Sequence, residues 1–552
     1  MTSAEIPVVI VGGGPAGLFM ALFLVKNGIS VRILDKESAF HTGSRGFGIQ
    51  PRTFELMKFL GILDDVQKLA VPIPTMRAYK LPGGTVPVKT WDLYEKSGVL
   101  WPDRPYANGA CLSQAVLEGI IRDHLQRYHV AVELRQELTA IEESEHHVVA
   151  HFHDHQTDKT YDIKAKYLIG ADGAKGVTRK LLGLTFEGQT RDTDGMVWGD
   201  VEIQGLGSDY WHIWGKPGHF TIMARLLSPD STEFGVGITG LDFDPSHLAD
   251  EEEAKKFIHE GTGRNDLRFG KFSWLSYFKP KMRMVNKFSE GRVFIVGDAA
   301  HVHSPTGGQG MNTATQDSAN LAWKLALVLR GLSSPDLLSS YNTERLPVVA
   351  QMLHATSALY THVVREVKDG GIPTQKPDED EKQSGWFRWR NSALEMYGIN
   401  YRYSPMIVEE RYTSPQSEED MKARAYEGYE GLGTLRAGDR APEAPGLVLD
   451  GAETSLFALF QPSKHTVLFF VPDKQTAVDG ILEVAGACPE GTVQTFVVSK
   501  DSGTLIDRDG HAFSSYRVVK GINVVVVRPD GFIGCIVASE AGLKLYFEGI
   551  FS

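Results

Sequence analysis

Val8-Val9-Ile10-Val11-Gly12-Gly13-Gly14-Pro15-Ala16-Gly17 is the stretch that decides the fold. A β-branched apolar run enters a G-x-G-x-x-G turn on Gly12, Gly14 and Gly17, and the apolar stretch Leu18 to Val25 then suits a buried helix. Gly12 allows the tight turn, Gly14 lets the backbone approach a pyrophosphate, and Gly17 lets the helix pack close to its strand. Pro15 and Ala16 open that helix, whose N-terminus attracts the anion. A second apolar run, Val31-Arg32-Ile33-Leu34, ends in Asp35-Lys36, at the spacing of an acid on a ribose hydroxyl. With 57 glycines in 552 residues, a glycine turn alone says little. Strand, turn, helix and acid together predict a dinucleotide site.

The chain is long enough for two or three domains, and its 42% apolar and 23% charged residues are ordinary for globular proteins. A net charge of -12 argues against a nucleic-acid partner, whose phosphates reward a basic surface. The apolar stretch Ile6 to Val25 is broken by Gly12-Gly13-Gly14-Pro15 and preceded by Glu5, so it reads neither as a signal peptide nor as a membrane span. Only Cys111, Cys488 and Cys535 occur, without C-x-x-C, which suggests neither disulfide staples nor a cysteine metal site. A cytoplasmic enzyme is the expectation.

The organisation reads as a cofactor domain interrupted by an insertion. Residues 1–184 form its first part, including a helical Arg52 to Leu63 region. Residues 185–287 carry aromatic, alternating runs such as Tyr210-Trp211-His212-Ile213-Trp214 and His219-Phe220-Thr221-Ile222-Met223, which suggest a sheet facing a substrate. Residues 288–370 return to nucleotide chemistry at Val293-Phe294-Ile295-Val296-Gly297-Asp298. Residues 371–435, opening on an acidic, glycine- and proline-containing run, read as a linker or lid. Residues 436–552 read as a small α/β domain with strands at Thr466 to Val471, Thr495 to Val498 and Asn523 to Val527.

Two further segments extend the cofactor site. Gly170-Ala171-Asp172-Gly173 follows a buried-looking strand, where Asp172 can anchor a loop near the cofactor. Asp298 can accept hydrogen bonds from ribityl hydroxyls, and Gly310-Met311-Asn312 opens an amphipathic helix containing Leu321, Ala322 and Leu325. The free amides at that helix start suit the negative charge of a reduced flavin ring. His301 and His303 lack a third ligand, so no metal site is expected. Together these segments point to a flavin.

The sequence resembles the group A, single-component flavin monooxygenases, the p-hydroxybenzoate hydroxylase and phenol 2-monooxygenase family. Matching segments are the Gly12, Gly14, Gly17 and Asp35 fingerprint, Arg45 before Arg52-Thr53-Phe54-Glu55, Gln114 in Leu112-Ser113-Gln114-Ala115-Val116-Leu117-Glu118, and the block from Gly297 to Asn312. The resemblance implies a Rossmann-like, glutathione-reductase-like FAD-binding domain with an inserted β-sheet substrate domain. Arg436-Ala437-Gly438-Asp439-Arg440-Ala441-Pro442 resembles the phenol hydroxylase branch, which implies a redox-inert, thioredoxin-like C-terminal domain. It implies noncovalent FAD, NADPH or NADH as co-substrate, O2, a small aromatic substrate, and hydroxylation through a flavin C4a-hydroperoxide; whether the chain forms a homodimer stays open. Baeyer-Villiger or decarboxylative oxygenation, and a non-enzymatic binding protein, stay open as alternatives.

Departures from the family pattern are specific. The serine of its D-G-x-x-S-x-V-R motif is Gly176 here, its catalytic aspartate aligns with Phe47, and its phenol-activating tyrosine has no counterpart near Glu233-Phe234-Gly235. Tyr210, His212, His219, Arg225 and Tyr277 are therefore catalytic candidates by location alone.

Overall fold

The computed structural model describes residues 5–93, 101–190, 195–216, 218–228, 231–240, 242–304, 307–369, 395–412, 417–429, 434–471, 479–518 and 524–551. Most of the acidic run expected to form a lid lies outside these residues. Among the described residues the chain builds three large sheets.

The first sheet is the nucleotide framework. Strand Ile6–Val11 sits at its centre, parallel to Lys159–Gly170 on one side and Val31–Leu34 on the other, and Val293–Ile295 joins beyond Lys159–Gly170, also in parallel. All-parallel pairing demands cover on both faces, which accounts for the unbroken apolar character of Val8 to Val11. Helix Pro15–Lys26 covers one face and is buried from Ala16 to Val25. It packs on Gly310–Leu329, a helix expected to be amphipathic but buried from Asn312 to Leu327. Both of its sides are occupied, by the Pro15–Lys26 helix and by the C-terminal region, so no solvent stripe survives.

The second sheet has the strand order Arg268–Phe278, Met196–Gln204, Glu233–Gly240, Phe220–Leu226, Tyr210–Lys216, Thr75–Tyr79, Pro87–Trp91. Its last two strands come from the segment expected to belong wholly to the cofactor domain. The insertion is thus completed by a hairpin that leaves the first domain and returns, a pairing between remote segments that local pattern does not encode. One face packs through Val197, Trp214, Ile222, Phe234 and Val236 on helix Glu251–Thr262. The other face is lined by Met76, Trp198, Trp211, Met223 and Trp274 and receives Phe47.

The third sheet centres on His465–Phe470, parallel to Val493–Ser499 and antiparallel to Val524–Val527, which pairs antiparallel with Ile533–Val537. Strand Val408–Glu409 adds to its edge, and Tyr397, Ile399, Tyr401 and Tyr403 are buried. Residues 396–404 are therefore not an exposed linker: Tyr401 meets Arg345 on the framework side and the Phe532 ring on the C-terminal side, whereas helix Glu418–Ala423 buries none of its residues. Among the described residues no helix is long and apolar enough to cross a membrane, and the three cysteines are free.

Candidate active site

The glycine turn has the geometry its spacing predicts. Gly12 has φ +111°, and a Cβ there would lie 2.3 Å from the Ala171 carbonyl oxygen, so only glycine fits. A Cβ on Gly17 would lie 2.0 Å from the Gly12 carbonyl oxygen. At Gly14 a Cβ would meet nothing within 4 Å, which leaves open space over the turn. Helix Pro15–Lys26 has no side-chain cap and no acid in its first turn, so its leading amides face that space without a built-in anion.

The predicted cofactor residues fall into two groups. Asp35, Arg45, Gln114 and Asp298 gather around one space. Burial raises the pKa of Glu118, with Gln114 donating to it at 2.8 Å and the charges of Asp35 and Arg45 both acting on it. Asp298 is solvent-exposed yet deep in the protein, as a group on the floor of a cleft must be. Desolvation raises its pKa, against the opposing charges of His301 and Arg45. Arg45 and Lys36 are exposed, whereas Asp35 is half-buried and accepts the Gly13 amide at 2.6 Å.

The second group shapes the site from within. The Asp172 carboxylate accepts the Thr178 amide at 2.8 Å and the Thr178 hydroxyl at 2.9 Å, and a Cβ on Gly176 would lie 2.1 Å from its Cγ. Asp172 therefore closes its own loop instead of reaching into the cleft, and the departure from serine to Gly176 is what lets it do so. Asn312, also expected to contact cofactor, is fully buried. Its Oδ1 accepts the Gln50 amide at 2.9 Å, and its Nδ2 donates to the carbonyls of Gly48, at 2.8 Å, and Gly308. It fastens the Gly310–Leu329 helix to the loop before Gln50. Gly310 and Met311 remain at the helix start, which has no side-chain cap and no acid in its first turn.

Asp317, which sequence reading passed over, holds this region together. It accepts the Gly297 amide at 3.0 Å, His301 Nε2 at 2.8 Å and Arg345 Nε at 2.8 Å, all buried. Burial alone would raise its pKa, but the charges of Arg345 and His301 hold it below the usual aspartate value. Gly297 itself has φ +60°, and a Cβ there would press within 3.0 Å of Ala16 and Ala314.

The catalytic candidates separate by strand parity. His212, stacked on Tyr79 and Trp214 with Nδ1 against the Tyr79 hydroxyl at 2.7 Å, lies on the face covered by helix Glu251–Thr262, and burial lowers its pKa to about 4. Tyr210 shares that parity and lies under the Arg77 guanidinium. Tyr277 bonds Asp244 on the same side, and His219 sits in an exposed turn paired with Asp242. None of these four faces the cofactor framework. Arg225 does, because its register neighbour Gly235 is itself paired with Asp200, which pairs with Trp274.

On this second face Phe47 stacks on Trp198 with ring centroids 5.6 Å apart and an interplanar angle of 15°. A Cβ on Gly237 would lie 2.0 Å from the Trp198 ring, so that glycine lets the indole lie against the sheet. Asp200 accepts the Ser44 amide at 2.6 Å, and burial pushes its pKa up to about 6. The Ser44 to Phe47 loop thus touches both the aromatic face and, through Gly46 accepting the Gln114 amide at 3.0 Å, the cofactor side.

Comparison with known proteins identifies the family and the fold. Residues 5–356 match the family model described as FAD binding domain. A flavin-dependent monooxygenase of Mycobacteroides abscessus is 30% identical, over 97% of each chain. Pentachlorophenol 4-monooxygenase of Sphingobium chlorophenolicum is 30% identical over 74% of this chain and 73% of its own. The flavin-dependent monooxygenase PieE, solved with FAD and substrate, superimposes with TM-score 0.81 at 24% identity, covering 100% of this chain and 99% of the other. Aklavinone-11 hydroxylase, solved with FAD and aklavinone, gives TM-score 0.79 at 22% identity with complete coverage of both. The chain belongs to the family of FAD-dependent aromatic monooxygenases.

Proposed function

We propose that this enzyme uses NAD(P)H and O2 to hydroxylate a planar phenolic compound held between the aromatic sheet face and the glycine-turn cleft. The observation that carries the reading is the Ser44 to Phe47 loop, which bonds Asp200 on the sheet and Gln114 beside the cleft. It places one half-buried aromatic, Phe47, between the two sides.

The residues present fit FAD. Gly14 leaves room for a pyrophosphate at an uncapped helix start, and Gly12 and Gly17 shape the turn beneath it. Asp35, Arg45, Gln114 and Asp298 surround the cleft, exposed Lys36 follows Asp35 in the chain, and Gly310 and Met311 offer amides to negative charge. When bound, FAD supplies the redox and oxygen-activating chemistry that side chains lack. The chain's own part is positioning and exclusion of water. Trp198, Trp211 and Trp274 form a dry wall on which a flat ring can stack. Relatives named for pentachlorophenol, 2,4-dichlorophenol and anhydrotetracycline support a phenolic substrate of variable size.

The C-terminal region is inferred to be thioredoxin-like. Its core strands run in the spatial order Ile533–Val537, Val524–Val527, His465–Phe470, Val493–Ser499, with Val524–Val527 antiparallel to both neighbours. Cys535 is buried in that core and burial pushes its thiol well up, which suits a redox-inert role.

The test is isotopic. Holoenzyme supplied with NADPH, 18O2 and a panel of phenols should form a product carrying one labelled oxygen, with NADPH consumption rising when that phenol is added. Unlabelled product, or loss of CO2 in step with product, would overturn simple hydroxylation. Acid precipitation should release the flavin into the supernatant.

A further inference from the structure

Arg225 is a fully buried cation that pairs with no carboxylate among the described residues. Its Nη1 reaches the Leu226 carbonyl at 3.3 Å, while Nε and Nη2 have no hydrogen-bond partner among the described residues. Leaving a buried guanidinium in this state is costly, and such costs persist where a function uses them. Asp200 and Cys111 are the titratable groups that act on it. Asp200 gives one oxygen to the Ser44 amide, and Cys111 is a buried thiol whose pKa is raised by desolvation, so neither neutralises Arg225 by direct pairing. The guanidinium lies 3.6 Å from the centroid of the Phe47 ring, the ring that stacks on Trp198. The chain's own phenyl group thus marks a slot bounded by an indole and a cation.

We propose that Arg225 recognises the substrate by pairing with an anionic oxygen, a phenolate or enolate, on its aromatic ring. This rests on the aromatic-hydroxylation reading above. The incoming ring takes the slot that Phe47 fills, stacks on Trp198, and presents its oxygen to Nε and Nη2. The phenolic proton leaves to solvent on binding, and the oxygen keeps the electron pair of the broken O–H bond. The ring becomes a stronger nucleophile without any side-chain base. That accounts for Phe47 and Gly235 standing where the family has its aspartate and near where it has its tyrosine. Arg225 supplies by charge what a base would supply by proton abstraction.

The experiment uses FAD-loaded protein and two probes, 4-nitrophenol and its methyl ether 4-nitroanisole. The absorbance of bound 4-nitrophenol followed against pH should show its pKa lowered by about one to three units. The ether, which cannot ionise, should bind at least about tenfold more weakly. Arg225→Met should abolish the downshift, and Arg225→Lys should keep part of it. Absence of 4-nitrophenol binding, binding without a downshift, or equal affinity for the ether would each overturn the proposal, and all are read on the wild-type enzyme. In those cases retained FAD and labelled product from another phenol would leave the hydroxylase reading standing. Failure to hold FAD would sink that reading instead.

Discussion

Single glycines and carboxylates in this chain can be assigned opposite roles from the atoms that surround them. Gly12→Ala forces a left-handed φ of +111° on alanine and drives its Cβ to 2.3 Å from a carbonyl oxygen, so the apoprotein should lose several kcal/mol and express poorly. Gly14→Ala meets no protein atom within 4 Å, so its apoprotein should melt as wild type while FAD affinity falls about tenfold or more. Thermal melts paired with flavin fluorescence titration check both, and equal behaviour of the two variants would contradict the assigned roles. Asp298→Asn should resemble Gly14→Ala, because its carboxyl faces the cleft. Asp200 makes a prediction in pH. Its folded pKa of about 6 lies above the ordinary 3.8, so the folded state prefers the protonated form, and that contribution is lost as pH rises through 6. Asp200→Asn should therefore match wild type near pH 4 and exceed it by up to about 3 kcal/mol at pH 8 in urea unfolding. The glycine roles were legible because each glycine answers to a local backbone demand. Asp200 was not, since its meaning depends on Ser44, 156 positions away.

At the level of elements, the sequence showed some of the strands, Tyr210–Lys216 among them, but missed others such as Thr75–Tyr79, and it did not show which face of a strand is which. Tyr210, His212 and Trp214 alternate with Trp211 and Ile213, so both faces of this strand are apolar or aromatic and no polar side betrays the solvent. Only the partners decide: helix Glu251–Thr262 takes the face of His212, and the Ser44 to Phe47 loop takes the face of Trp211. The same ambiguity hid Asp317 inside a helix that is buried on all sides. That residue makes the helix a fixed platform, since it ties Gly297, His301 and Arg345 to one carboxylate. Asp317→Asn leaves Arg345 buried without its counter-ion and should cost about 3 to 5 kcal/mol. The wild-type contribution should fade on acidification, because a carboxylate held below its ordinary pKa loses its advantage as pH falls. The loss sets in only below the ordinary pKa of 3.8, so guanidinium unfolding at pH 7 and near pH 2.5 measures both statements, and a cost that does not shrink at the lower pH would contradict the charge assignment.

Across the whole molecule, the C-terminal region is joined to the cofactor framework by buried charge as well as by a continuous apolar core, in which Phe59 packs on Phe457 and Phe460. Glu344 receives Arg528 Nη1 at 2.7 Å and Nη2 at 2.9 Å from the C-terminal sheet, and Lys324 Nζ at 2.8 Å from the Gly310–Leu329 helix. Arg440 reaches Glu55 at 2.9 Å, and Asp530 accepts Trp323 Nε1 at 3.2 Å. Neither side can be exposed alone without stranding a charge, so the two should unfold as one unit. Burial alone would raise the pKa of Glu344, but the facing charges of Arg528 and Lys324 hold it well below 4.5. Its contribution is therefore complete above about pH 4.5 and is lost as pH falls further. Glu344→Gln should destabilise by about 3 to 5 kcal/mol at pH 7 and by progressively less below pH 4. Flavin release and tryptophan fluorescence should report one coincident transition in wild type, because Trp323 stands at this junction. Two separated transitions in wild type would mean that the C-terminal region is an independent appendage, and its buried ion pairs would then need another explanation.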